Sequence, residues 1–144
     1  MDDFDLAAAL LREQLKLFRT RGHQQCHSLS NGETYMLFLL EQAGGTMQPG
    51  SISEAMHVTT ACVAAALRSM ERKQLIIREI SSLDRRYIDV AITTQGRERL
   101  ACAKLKAQAD LQRVLSRLEE EEARQYVTLV TRLAQVWDED EESW

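Results

Sequence analysis

Apolar residues recur at helical spacing through most of the chain. Over about residues 4–25 they cover more than one helical stripe, so the pattern predicts a first helix that packs on two sides. Ser30 and Glu33 have the spacing of a capping box, which predicts a second helix over about residues 31–43. Residues 35–40 are all apolar, which is typical of a buried scaffold helix.

A pair of closely spaced helices follows. After a Pro-Gly turn, residues 51–54 have the spacing of a second capping box and predict a short helix over about residues 52–57. The N-cap candidates Thr59 and Thr60 then open a longer helix that reaches about Lys73. Two helices joined by a few residues, of which the second is longer, are typical of a helix-turn-helix.

The period of the pattern then changes from helical to alternating. Residues 75–80 and 87–93 are rich in β-branched or aromatic side chains and flank a polar turn, which predicts a β-hairpin. Its tip carries Arg85 and Arg86. A hairpin in this place is typical of a wing, and paired arginines at its tip suit a phosphate backbone or a narrow groove.

The remainder of the chain is predicted to be helical, over about residues 97–115 and 116–137. The predicted fold class is therefore mainly α with a small β-hairpin wing. Three regions follow from this organisation in one compact chain, namely residues 1–30, 31–97 and 98–144.

Composition limits the class of protein. The chain has 144 residues and a formal net charge of −4, but residues 51–99 contain eight Arg or Lys against six Asp or Glu, so we expect only this segment to face DNA. Three widely spaced cysteines predict reduced thiols. No apolar run is long enough to span a membrane and the N-terminus is acidic, so we expect a cytoplasmic protein. No catalytic motif is present, so we expect neither an enzyme nor a cofactor.

Two segments resemble a known family, residues 84–96 (DRRYIDVAITTQG) and residues 70–76 (MERKQLI). They are similar to the wing with its return strand, and to the Leu-Glu-x-x-Gly-Leu-Ile segment, of the MarR (multiple-antibiotic-resistance regulator) family of bacterial transcription factors. The resemblance extends over about residues 29–100. It implies a winged helix-turn-helix flanked by N- and C-terminal dimerisation helices, with Arg86 in the minor groove, held by Asp84. It also implies a small, often phenolic or amphipathic, effector.

Some positions depart from the family pattern. His57 and Gln74 stand at turn positions where the family usually has glycine, which predicts a positive φ at non-glycine residues. Ala64 and Ala65 stand in the presumed recognition helix where relatives often carry Thr and Arg. Alanine offers a base edge only contact with a thymine methyl, so the protein either reads DNA weakly, with help from the wing and DNA shape, or no longer reads it.

The candidate DNA contacts lie on the helix-turn-helix and the wing. They are Ser51, Thr59, Thr60, Arg68, Ser69, Arg72, Asp84, Arg85 and Arg86. Several have a structural alternative. The arginines at the hairpin tip have the position of ordinary solvated charges, the two helical arginines have the spacing to pair with Glu71 or a neighbour, and the two threonines serve as N-caps.

His23, Cys26 and His27 form a second candidate site, for a ligand or for sensing. Their spacing places them on one face of the first helix if that helix extends so far, and imidazole and thiolate are zinc ligands. No further cluster completes a tetrahedral site, so no metal is assigned. Cys62 on the recognition helix suggests oxidation as another sensing mechanism, although no motif predicts a lowered thiol pKa.

The expected function is a transcriptional regulator, a repressor, that binds double-stranded DNA as a homodimer at a pseudo-palindromic operator and is released by a small-molecule effector. The partners are therefore DNA, a second copy of the chain and that effector, without a membrane. Two alternatives stay open, a winged-helix protein-interaction module or anti-repressor with weakened DNA readout, and a metal- or redox-sensing regulator.

Overall fold

The computed structural model describes residues 2–19 and 32–141. Its elements in chain order are α1 (Asp3–Phe18), α2 (Gly32–Gln42), β1 (Thr46–Met47), α3 (Pro49–Met56), α4 (Thr60–Arg72), β2 (Ile76–Ile80), β3 (Ile88–Ile92), α5 (Thr94–Leu115) and α6 (Glu120–Glu141). The prediction of a mainly α fold with a β-hairpin wing is confirmed. Contacts divide the chain into two compact units, Met1–Ala107 and Gln108–Trp144.

The sheet of the first unit has three antiparallel strands in the order β1-β3-β2. The hairpin pairs Ile76 with Ile92 at its base and Ile80 with Ile88 near its tip. The sequence pattern did not predict β1, which pairs Thr46 with Ala91 and adds a short edge to the hairpin. This edge strand ties the segment after α2 to the base of the wing.

The core of the first unit joins the helix-turn-helix to the hairpin. α2 contributes Met36, Leu37 and Leu40, which confirms its prediction as a buried scaffold helix. The other buried members come from α3, α4, the turn after α4, both hairpin strands and α5, namely Ile52, Val63, Leu67, Met70, Leu75, Ile76, Val90, Ile92 and Leu100. α4 and the base of the wing therefore pack against one apolar cluster, which fixes the position of α4 relative to the base of the wing.

The start of α3 corrects one prediction. The helix begins at Pro49, with Gln48 as a cap residue that makes no side-chain hydrogen bond, so Ser51 lies inside the helix and the predicted capping box is wrong. Proline fixes φ at a helical value and has no N–H to satisfy, which suits the first helical position. Ser53 instead donates its hydroxyl to the carbonyl of Val58, 2.6 Å away.

The turns around α4 agree with the sequence. His57 ends α3 in the left-handed region with φ 53°, and Gln74 follows α4 with φ 61°, which confirms the expectation of positive φ at both. Thr59 caps α4 by accepting a hydrogen bond from the N–H of Cys62 at 3.2 Å, and Thr60 is the first helical residue.

Thr93 and Gly96 join the turn after α4 to the start of α5. The Thr93 hydroxyl donates to the carbonyl of Gln74 at 2.7 Å and accepts from the N–H of Gly96 at 2.9 Å. A Cβ atom at position 96 would collide with the carbonyl oxygen of Leu75, so glycine is required by close approach and not by its φ. α5 accordingly begins at Thr94, before the predicted start.

The second unit contains the end of α5 and all of α6. The prediction that residues 116–119 restart the helix is wrong in detail, because Ser116 donates its hydroxyl back to the carbonyl of Arg113 at 2.9 Å. The N–H of Glu119 donates to the carboxylate of Glu122 at 3.0 Å, and α6 begins at Glu120. The acidic first turn complements the positive end of the helix dipole.

The first helix is shorter in the described part of the chain than its sequence pattern predicts. α1 begins with a capping box between Asp2 and Asp5 and ends at Phe18. Residues 20–25 of the predicted helix, and Ser30 of the predicted first capping box, lie outside the described residues. Within the described ranges, no helix is both long and apolar enough to cross a membrane.

Candidate nucleic-acid interface

The outer face of α4 is a stripe of two alanines and two arginines. Val63, Leu67 and Met70 are buried on the inner face. Ala61, Ala65, Arg68 and Arg72, at helical spacing, are exposed on the other. The stripe therefore offers methyl groups along the first turns of the helix and guanidinium groups near its end.

Arg68 and Arg72 line a shallow groove together with Glu71 and Arg78, where α4 meets β2. Glu71 accepts from Nε of Arg78 at 2.8 Å and from a terminal nitrogen of the same side chain at 2.6 Å. The alternative that Glu71 pairs with a helical arginine is therefore wrong. Among the described residues Arg68 and Arg72 have no ion-pair partner, so their charges face the groove and the solvent.

Arg78 is not among the candidate site residues that the sequence predicted. Arg78 lies two positions after Ile76 on β2 and is paired across the hairpin with Val90. Ile76 and Val90 are buried residues. Side chains two apart on a strand point to the same face. A cation on a face that is otherwise apolar signals a nearby carboxylate, and this signal was available in the sequence.

The tip of the hairpin carries an ion pair between Asp84 and Arg86, here called the wing ion pair. Nε of Arg86 lies 3.1 Å from both oxygens of the Asp84 carboxylate, and a terminal nitrogen lies 2.7 Å from Oδ2. The backbone N–H of Arg86 also donates to Oδ1 at 3.0 Å. This pairing lowers the pKa of Asp84 and raises the pKa of Arg86 from their ordinary values.

The wing ion pair orients Arg86 without enclosing it. The Arg86 side chain is 82% exposed, and its guanidinium carbon lies 5.9 Å from the centre of the Tyr87 ring. Arg85 is exposed and has no ion-pair partner in the described part of the chain. Two guanidinium groups therefore project from the turn, one held by Asp84 and one without an ion-pair partner among the described residues, and both are available to a phosphate.

The remaining candidates on the helix-turn-helix differ in their contacts. Ser51 is exposed on α3. Ser69 is half-buried and lies beside Glu33. The Glu33 carboxylate accepts a hydrogen bond from the ammonium group of Lys73 at 2.8 Å. Burial opposes ionisation of Glu33, but hydrogen bonds from Lys73 and Ser69 hold its pKa below the ordinary value. Ser69 thus lies beside an ion pair within the chain.

The comparisons with known proteins agree with this geometry. Residues 29–88 match the model of the MarR family. The chain belongs to the MarR family. It is similar to the HTH-type transcriptional repressor MdtR of Bacillus subtilis (strain 168), with 33% identity over 97 residues. That alignment covers 67% of this chain and 63% of MdtR, so the chain spans less than two thirds of this relative.

Two solved structures show the same MarR-family fold. The crystal structure of the YusO protein from Bacillus subtilis is 25% identical, with a TM-score of 0.72 over 94% of this chain and 99% of YusO. A mutant of S. aureus MepR bound to an oligodeoxyribonucleotide is 23% identical, with a TM-score of 0.59 over 95% of this chain and 99% of MepR. The second likeness concerns the fold alone.

Of the predicted sensing residues of this MarR-family chain, only Cys62 lies in the described part of the chain. His23, Cys26 and His27 lie outside the described residues. Cys62 and Cys102 are exposed free thiols. In residues 2–19 and 32–141, no group of three His, Cys, Asp or Glu side chains is arranged to hold a metal ion.

Proposed function

We propose that this chain is a DNA-binding transcriptional repressor that binds a pseudo-palindromic operator as a homodimer. Each α4 enters a major groove and each wing enters the flanking minor groove. One observation carries the proposal. Four exposed arginines, Arg68, Arg72, Arg85 and Arg86, lie on α4 and the wing of a chain with a net charge of −4. Membership of the MarR family and the oligonucleotide bound by MepR support the choice of DNA.

The homodimer is proposed from the apolar surface of α1 and α6. Large apolar side chains on each of the two helices are exposed to solvent in the single chain, and extensive exposed apolar surface marks protein interfaces. The more exposed members are Phe4, Leu11 and Leu15 on α1 and Val127, Leu129 and Trp137 on α6. A second copy of the chain would cover them. The two-fold axis would place the half-sites about 10 bp apart, one turn of the duplex.

Base readout by α4 is expected to be limited. The exposed Ala61 and Ala65 have no hydrogen-bonding group, so contact with thymine methyl groups is all they add. Arg68 and Arg72 supply the charged contacts, and Thr59 and Thr60 lie at a helix N-terminus, which favours a phosphate. Discrimination between sequences would then depend on the wing and on DNA shape.

An effector that changes the separation of the two DNA-binding regions would release the operator. A dimer matched to its half-site spacing loses affinity when another spacing is stabilised, and a ligand shifts that equilibrium by its differential affinity for the two states. We propose a small molecule in this role, as the family resemblance implies.

Fluorescence polarisation tests the proposal. Purified protein is titrated into a labelled duplex from its own upstream intergenic DNA and into a scrambled duplex, at several salt concentrations. We expect tight binding to the first duplex, with a steep loss of affinity as salt rises. One chain has a mass of 16.4 kDa. Sedimentation equilibrium on the same sample should give twice that mass, and a monomer would contradict the homodimer.

A protein-interaction module is the second candidate, because the exposed alanines of α4 and the net negative charge favour it. It predicts weak binding to both duplexes without sequence preference. That result would overturn the repressor proposal.

A further inference from the structure

Leu83, in the turn of the wing, is 97% exposed and is the most exposed large apolar residue in the described part of the chain. A single exposed leucine is ordinary on a protein surface. This one directly precedes the wing ion pair. Ile80 and Ile88, which form the last pair of the hairpin before the turn, are also exposed.

The turn presents Leu83 on a fixed backbone. Ser81 is 4% exposed, and its hydroxyl accepts a hydrogen bond from the N–H of Leu83 at 3.3 Å. The N–H of Ser81 donates to the carbonyl of Tyr87 at 2.9 Å, and the N–H of Tyr87 donates to the carbonyl of Asp84 at 3.1 Å. These bonds close the turn on both sides of Leu83, so its side chain projects outward.

We propose that Leu83 is an apolar wedge that inserts at a base step of the minor groove beside Arg86. The inference rests on the proposed function and adds a specificity-determining residue to it. Apolar side chains that enter the minor groove partly unstack a base step and kink the duplex. Pyrimidine–purine steps such as TpA unstack most easily, so Leu83 would favour operators with such a step under the wing.

The neighbours of Leu83 favour DNA as the occupant over an apolar protein surface. Arg85 and Arg86 both follow it within the turn, and their charges match the phosphates that border the groove. A leucine gains nothing from phosphates, but sugar walls and exposed base faces provide apolar contact. The cations and the wedge would thus bind different parts of the same groove.

Substitution of Leu83 tests the inference with the full-length protein. The probe is the upstream duplex, with a TpA step placed where footprinting locates the wing, and a second duplex with ApA at that step. We expect Leu83→Ala to weaken binding to the TpA duplex about tenfold, or about 1.4 kcal/mol, which is part of the value of burying a leucine. The salt slope should not change, since no phosphate contact is lost. Leu83→Met and the neighbouring control Ser82→Ala should bind within about twofold of wild type.

2-Aminopurine in place of the adenine of the TpA step gives a direct readout of unstacking. Its fluorescence should rise when wild-type protein binds and stay quenched with Leu83→Ala at saturating protein. If wild type binds selectively but Leu83→Ala keeps its affinity and its fluorescence change, Leu83 is not a wedge and the repressor proposal stands. If wild type shows no selective DNA binding, both proposals fail. Because Leu83 is almost fully exposed, circular dichroism should show unchanged folding.

Discussion

Replacing Arg86 by lysine separates the charge of the wing from its geometry. In the structure two nitrogen atoms of the guanidinium donate to the Asp84 carboxylate, which fixes the direction of the side chain. A lysine keeps the positive charge but carries a single compact ammonium on a flexible stem, so it loses this two-point contact. Arg86→Ala removes both the charge and the geometry.

The two variants are expected to differ in kind. Each phosphate contact contributes about 0.9 to the slope of log K against log salt, so Arg86→Ala in both wings of a dimer should make the slope shallower by about 1.8. Arg86→Lys should leave the slope unchanged. Ordering a free side chain costs about 0.5 to 1.5 kcal/mol, so two unrestrained lysines should lose about 1 to 3 kcal/mol, or about five- to 150-fold in affinity.

Fluorescence polarisation from about 50 to 200 mM salt measures both quantities. Arg117→Ala, which removes an exposed cation outside the proposed interface, is the matched control and should leave the salt slope near the wild-type value. Thermal melting should be unchanged in all variants because the Arg86 side chain is mostly exposed. An unchanged slope for Arg86→Ala would refute the phosphate contact. Wild-type affinity for Arg86→Lys would refute the role of the wing ion pair.

Three further predictions concern stability and pH. Thr93→Val should lower the free energy of unfolding by about 1 to 2 kcal/mol because it loses two hydrogen bonds, while Thr93→Ser should keep them. Urea denaturation at one protein concentration compares the two variants, and equal stability would contradict the role of the hydroxyl. Gly96→Ala should cost about 3 kcal/mol through its backbone collision, whereas Gly50→Ala, with open space around it, should be neutral or slightly stabilising in the same assay. Because the pKa of Asp84 is lowered, the wing ion pair persists above the ordinary carboxyl pKa and is lost as the pH falls through the lowered value. Carboxyl NMR titration should show Asp84 titrating at higher pH in Arg86→Ala, and an unchanged titration would contradict the pairing.

Much of the helix-turn-helix could be predicted because its signals are local. The hydroxyl of Thr59 is a cap whose partner lies three residues away, and the change from helical to alternating spacing marks the hairpin. The two residues of β1 gave no such signal. They form a strand only because β3 lies beside them, so their structure depends on pairing between distant segments.

Pro49 shows a different limit. Its fixed φ suits the second residue of a turn and the first residue of a helix equally, so the local sequence fitted both structures. The structure has the helix. The same limit applies to Glu71, whose sequence neighbours Arg68 and Arg72 are both near enough to pair. Only the packing of β2 against α4 brings Arg78 to this carboxylate.

The charges of the chain and the alanines of α4 together favour the wing as the main source of discrimination between DNA sequences in the proposed complex. A dimer would carry a net charge of about −8, so attraction to DNA depends on the arginines that lie at the interface and not on the overall field. If all four arginines of each chain met phosphates, the salt slope would reach about −7. Such contacts hold the protein on any duplex and carry no sequence information. If Ala61 and Ala65 face the bases as proposed, we expect most of the sequence preference to come from the width and deformability of the groove that receives the wing, which is where Leu83 and Arg86 would act together.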